Sequence, residues 1–143
     1  MSFSCILVPI DFSDDSLTAY QTALDLFVSP QRTLILLHAV DNRVDDLAQD
    51  QGGGKALEER RRQLASLGNR RKAEWKDVVT LIEGGKPIDL IISTAKQMAV
   101  DLIVMGPGTS TGLVKGLFGS TTYDVARRVK CSVMISKPDA SRA

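Results

Sequence analysis

The chain has 143 residues and a mass of 15.5 kDa, enough for one domain with a sizeable core. Hydrophobic residues make up 43% and charged residues 24%, which excludes a disordered chain, a collagen-like repeat and a cysteine-stapled mini-protein. Eighteen Lys and Arg face seventeen Asp and Glu, a formal charge of +1, so charge gives no reason to expect nucleic acid as a partner.

The first apolar run, Phe3 to Ile10, is short and rich in β-branched residues, and it reads as a buried strand. Asp11 to Asp14 form its exit, where Ser13 or Asp14 can cap a helix through a side-chain oxygen. Leu17, Tyr20, Leu24 and Phe27 then recur at helical spacing, and Pro30 marks the end. Thr33 to Val40 is a second strand whose continuous apolar character fits a parallel sheet covered on both faces. Residues 41–55 are polar and include three consecutive glycines, which predicts a flexible loop. A charged helix is expected from Ala56 to about Lys72, with Leu57, Leu64 and Leu67 inward. Asp77 to Glu83 is a third strand, Gly84 and Gly85 turn the chain, and Pro87 suits a first helical position. Ile88, Ile91, Ile92, Ala95 and Ala99 mark the next helix. Asp101 to Met105 is a fourth strand, a last helix covers about 120–129, and Cys131 to Ser136 is a fifth strand. The alternation predicts an α/β fold: one doubly wound parallel sheet, order 3-2-1-4-5, with helices on both faces and a single domain over 1–143.

In such a sheet a ligand sits beyond the carboxyl ends of the strands, where the winding reverses. Pro9, Ile10 and Asp11 meet Met105 and Gly106 at that point. The glycine-rich stretch that follows ends in Gly119-Ser120, at the start of the last helix. The unpaired amides and positive dipole end there favour an anion. Ser120 and Thr122 add hydroxyls, and Asp11 can accept from ribose hydroxyls or from a donor on an adenine edge. This arrangement favours a nucleotide with phosphates at 119–122. Taken alone, the glycines are equally read as a tight turn and a surface loop. A P-loop does not fit, because no lysine stands between Gly119 and Ser120, and the dinucleotide fingerprint is absent after the first strand.

Other conspicuous residues have plainer readings. His38, the only histidine, is expected to be a satisfied structural residue, with no metal site around it. Cys5 and Cys131 read as small buried hydrophobes. Arg60 to Arg62 and Arg70 to Lys72 lie about three turns apart on one predicted helix and read as its solvated face. Trp75 is expected to anchor a helix-to-strand junction. No catalytic residues stand out, and any hydrolysis of a bound nucleotide would be slow and lack a dedicated base. The apolar last strand is an edge that needs cover, which predicts a homodimer through about 131–137. No apolar run reaches the roughly 18 residues of a membrane span, and the N-terminus turns acidic too early for a signal peptide, so the expected location is the cytoplasm.

Over its whole length the sequence resembles the universal stress protein family. The resemblance rests on ILVPIDFSDDS at 6–16, LLHAVD at 36–41, Gly-x-Pro at 85–87, DLIVMG at 101–106 and GSTTYDVARRVKCSVMISK at 119–137. It implies the same five-stranded fold, frequent homodimers paired through their last strands, and membership of either an ATP-binding or a non-binding branch. For the first branch it implies ATP, with or without magnesium, as the ligand of a stress-response or signalling module. Phosphate contacts would then fall on Ser120 and Thr122 with backbone help from Gly119, Thr121 lying between them in the same candidate stretch, and base and ribose contacts on Asp11, Ile10, Ala39 and Met105. The family's ATP-binding glycine pattern starts at Gly106 and ends at Gly119-Ser120. Its middle glycine falls on Thr109, with Gly108 adjacent, and Pro107 removes a backbone donor. The other branch implies a nucleotide-independent dimeric interaction protein that binds other proteins.

Overall fold

The computed structural model describes residues 2–41, 54–108 and 119–138. The expected loop at 41–55 falls largely outside them, and so does Thr109. Five strands form one parallel sheet: β1 (Cys5–Pro9), β2 (Thr33–Val40), β3 (Asp77–Gly84), β4 (Leu102–Met105) and β5 (Ser132–Ile135). Their order is β3-β2-β1-β4-β5, as the alternation of elements predicts. Leu7 stands beside Ile35 of β2 on one side and Ile103 of β4 on the other, so β1 and its neighbours form the apolar centre.

Successive side chains along a strand point to opposite faces, and each face is covered by two helices. On one face Ile6, Val8, Leu34 and Leu36 pack with Tyr20 and Leu24 of α1 (Asp14–Phe27) and Leu64 of α2 (Lys55–Asn69). On the other, Leu7, Ile35, Leu37 and Ile103 pack with Ile91 and Ala95 of α3 (Pro87–Gln97) and Val125 of α4 (Ser120–Arg128). Polar ties fix the layers. The Tyr20 hydroxyl donates to the Leu67 carbonyl at 2.6 Å and joins α1 to α2. The Asp101 carboxylate accepts from the backbone N–H groups of Ser4 at 2.8 Å and Cys5 at 3.1 Å, closing the amino-terminal rim of the sheet. Trp75 is 4% exposed within the α1/α2 core, as expected of a junction anchor.

Two expectations need correction. The charged helix stops at Asn69, and Arg71 takes a left-handed conformation before a short 3-10 turn over Lys72–Glu74. The two arginine clusters therefore do not share one helix. Arg62 pairs with Glu59 at 2.7 Å and Arg71 with Glu74 at 2.7 Å, while the Arg70 guanidinium lies over the Tyr20 ring. Cys5 and Cys131 are free and half-buried, because both sit at the amino-terminal rim where the core thins. Burial pushes both thiols above their ordinary range, and the Asp101 carboxylate adds to this. Among the described residues, no helix is long and apolar enough to cross a membrane.

The two faces of α1 give a direct test of where the core lies. Leu24 is fully buried and Leu26 is 61% exposed. In urea denaturation, Leu24→Ala should cost about 2–5 kcal/mol. Leu26→Ala should stay within about 0.5 kcal/mol of the parent chain.

Candidate functional site

At the carboxyl ends of the strands, where the winding reverses between β1 and β4, the two helix layers leave a cleft. Its floor is the sheet itself. Pro9, Leu37, Ala39 and Met105 close it from below, and Pro87 and Ile91 of α3 form one apolar wall. The other walls are polar: the exit of β1 with the start of α1 on one side, and Gly106, Gly108 and residues 119–122 on the other.

The β1 exit is a tight, self-bonded turn. Ile10 extends the sheet by one more bond, its N–H donating to the Leu37 carbonyl at 2.8 Å. The Asp11 carboxylate accepts from the Ser13 backbone N–H at 2.9 Å and from the Ser13 hydroxyl. The Asp11 N–H donates to Ser16 Oγ at 3.3 Å. Burial pushes the Asp11 carboxyl up, but the hydrogen bonds from Ser13 and Ser16 outweigh it and hold the group below the usual carboxylate range. Asp11 is therefore anionic at neutral pH. Between Asp11 and Ser13 the chain passes through Phe12 at φ 64, a left-handed conformation that costs a bulky residue about 1–2 kcal/mol. Asp11 lines the cleft, while the Phe12 side chain packs into the core on the opposite face of the sheet.

Three helices start at this cleft, and their first turns are finished differently; α3 opens on Pro87, which has no N–H to offer, and carries Asp89 in its first turn. Ser13 caps α1, its hydroxyl oxygen accepting from the Ser16 N–H at 3.2 Å, and Asp14 and Asp15 occupy the first turn. α4 has Gly119 at its cap, no side-chain cap bond and no acidic residue in the first turn. Among the described residues, no side chain caps its early amides and no carboxylate answers its dipole in the first turn, whereas those of α1 are answered from within. The last turn of α4 carries Arg127 and Arg128, the signs that complement the other end of its dipole.

The exit of β4 is fastened to this helix start. The Gly119 N–H donates to the Pro107 carbonyl at 2.7 Å, and the buried Thr122 hydroxyl donates to the Gly106 carbonyl at 3.0 Å. Thr122 therefore spends its proton closing the loop, while Ser120 is exposed at the rim. Two glycines permit the close approach. A β-carbon on Gly106 would lie 2.9 Å from both the β-carbon and the carbonyl oxygen of Asp15. Gly108, at φ +81, would place one 3.0 Å from the Thr122 hydroxyl oxygen.

All the expected site residues that fall among the described ones line this cleft: Pro9, Ile10 and Asp11, Ala39, Met105, Gly106 and Gly108, and Gly119 to Thr122. Thr109 lies outside the described residues. Sequence reasoning missed Ser13, Asp15 and Ser16 on the α1 side and Leu37, Pro87 and Ile91 on the apolar side. Leu37 was available from the period of two that already placed Ala39. Pro87 and Ile91 follow from the parallel topology, which starts α3 at this same rim. His38, as expected, is buried and satisfied. Among the described residues, no group of three or more His, Cys, Asp or Glu is placed to hold a metal ion.

Comparison with known proteins adds an independent line. The model of the universal stress protein family matches residues 3–137. Universal stress protein YxiE of Bacillus subtilis is 28% identical, the match covering 93% of this chain and 98% of YxiE. Among solved structures, hypothetical protein MJ0577 is 26% identical with a TM-score of 0.81, over 98% of this chain and 99% of that one. A universal stress protein in complex with cAMP is 26% identical with a TM-score of 0.71, over 94% and 97% of the respective chains. With a family match over nearly its whole length and the five-stranded fold in place, this chain belongs to the universal stress protein family.

Proposed function

We propose that the cleft binds an adenine nucleotide and that the protein acts as a nucleotide-responsive stress or signalling module. The observation that carries this reading is the uncapped start of α4 facing the anionic Asp11 across one cleft. Phosphate oxygens are received by the first-turn amides of α4 and by Ser120. The Asp11 carboxylate accepts from ribose hydroxyls. The base lies on the apolar floor of Leu37, Ala39 and Met105, against Pro87 and Ile91. The cAMP-bound relative supports the ligand class. ATP fits the same frame as a longer ligand. Among the described residues, Asp15 is the other carboxylate in the lining and would help hold a magnesium ion that enters on the phosphates.

Isothermal titration with AMP and with ATP tests this reading. The parent chain should release or absorb binding heat. Asp11→Ala should weaken binding about ten- to a hundredfold, the value of charge-assisted hydrogen bonds. Gly106→Ala should do the same through the displaced start of α1, with the melting temperature measured alongside. No heat with either nucleotide at millimolar concentration would remove the nucleotide reading and leave a nucleotide-independent interaction protein.

In the same reading the chain forms a homodimer through β5. Val133 and Ile135 are half-buried on one face of this edge strand and Met134 on the other, and an unpaired edge of this kind favours strand pairing. Sedimentation should give twice the mass of the chain at micromolar concentration. Val133→Asp should shift the population to monomer, and a monomeric parent chain would contradict the pairing.

A further inference from the structure

His38 does not line the cleft. It stands behind the turn that carries Asp11, on the opposite face of the sheet, and is 2% exposed. Its Nδ1 lies 2.7 Å from the Ile10 carbonyl oxygen, and its Nε2 lies 3.0 Å from the Arg60 guanidinium on α2. A carbonyl oxygen only accepts and a guanidinium only donates, so these contacts require a proton on Nδ1 and a lone pair on Nε2. The same ring lies against Phe12, with centroids 4.9 Å apart and planes at 56°. Ile10 and Phe12 are the two neighbours of Asp11 in the chain. One imidazole therefore holds the peptide before Asp11 by a hydrogen bond and the side chain after it by packing.

This grip falls on the strained part of the site. Phe12 has φ 64, and an aromatic residue stays there only where its surroundings fix it. If Phe12 relaxed to a negative φ, the backbone would rotate on the far side of Asp11, and the carboxylate would leave the Ser13 donors that hold it ionised.

We infer that His38 is the positioning residue for Asp11: its Nδ1–H holds the Ile10 carbonyl and its ring holds Phe12, which together aim the Asp11 carboxylate into the cleft. The effect on affinity rests on the nucleotide reading above; the effect on the turn does not. The Arg60 guanidinium, a group that only donates, extends the same contact to α2 at Nε2, in keeping with the tautomer the Ile10 carbonyl needs.

Three variants separate this role from plain core packing. The amide of His38→Asn can reach the place of Nδ1 and keep a donor on the Ile10 carbonyl. The amide of His38→Gln reaches the place of Nε2 and keeps the Arg60 contact instead. His38→Leu fills space and keeps neither. Two measurements are made on each folded variant: amide hydrogen exchange at Asp11 and Ser13 without ligand, and AMP affinity by titration. The nitrogen resonances of the single imidazole are recorded on the parent chain.

The parent should show a protonated Nδ1 and an unprotonated Nε2. His38→Asn should keep exchange and affinity close to the parent. His38→Gln and His38→Leu should exchange about tenfold faster at both amides and lose about tenfold or more in AMP affinity. If His38→Leu does not fold, the Asn and Gln variants still decide, because a packing role alone would favour the larger Gln side chain, the opposite of the order expected here. Equal exchange and affinity in the Asn and Gln variants, or a proton found on Nε2, overturns the inference. A parent chain that ignores AMP while its Asn and Gln variants differ in exchange leaves the positioning of the turn standing and fails the nucleotide reading instead.

Discussion

The constraint on which this molecule depends is the reversal of winding between β1 and β4. A parallel sheet must send its helices to one face or the other, and where adjacent strands send them to opposite faces no helix covers the strand ends. The sheet order β3-β2-β1-β4-β5 puts that opening between the exits of the central strand β1 and its neighbour β4. Everything chemical in the cleft follows from it. Asp11 is the second residue beyond β1, Gly106 is the first beyond β4, and α4 returns to the same rim.

Filling such an opening with chain alone would bury polar backbone without partners. The protein divides the problem between its two polar walls. On the α1 side, Ser13, Ser16 and Asp11 bond to one another, which leaves the carboxylate ionised and held in place. On the α4 side, Gly119 brings no side chain to the cap, and Thr122 is turned away to close the loop on Gly106. A rigid acceptor thus faces a helix start that, among the described residues, no side chain caps. That pairing suits a ligand with an anion at one end, an apolar ring lying on the floor of the sheet at the other, and hydroxyls between them.

Most of the fold was legible because apolar runs and their spacing dictate it. Thr33 to Val40 was bounded correctly as a strand, since eight nearly continuous apolar residues admit few alternatives. The end of α2 was not, because Arg70 to Lys72 are good helix formers and only the left-handed turn at Arg71 reveals the stop. The cleft was legible where topology and local motif coincide, as at Asp11, Gly106 and Gly119-Ser120. It was not legible where a tertiary contact decides. Nothing in the sequence says that the Thr122 proton is used on the Gly106 carbonyl, or that Phe12 is held left-handed by a histidine from the neighbouring strand. The single histidine looked like a core residue because it is one; its two bonded nitrogens are visible only in three dimensions.

The most direct measurement is a backbone amide nitrogen–proton spectrum of the labelled protein, recorded as AMP is added to saturation. The resonances of Ser120, Thr121 and Thr122 should move together with those of Ile10 and Asp11, while those of the amino-terminal rim around Ser4 and Asp101 stay in place. A spectrum unchanged at saturating nucleotide, or one that moves only away from the start of α4, would contradict nucleotide binding in this cleft.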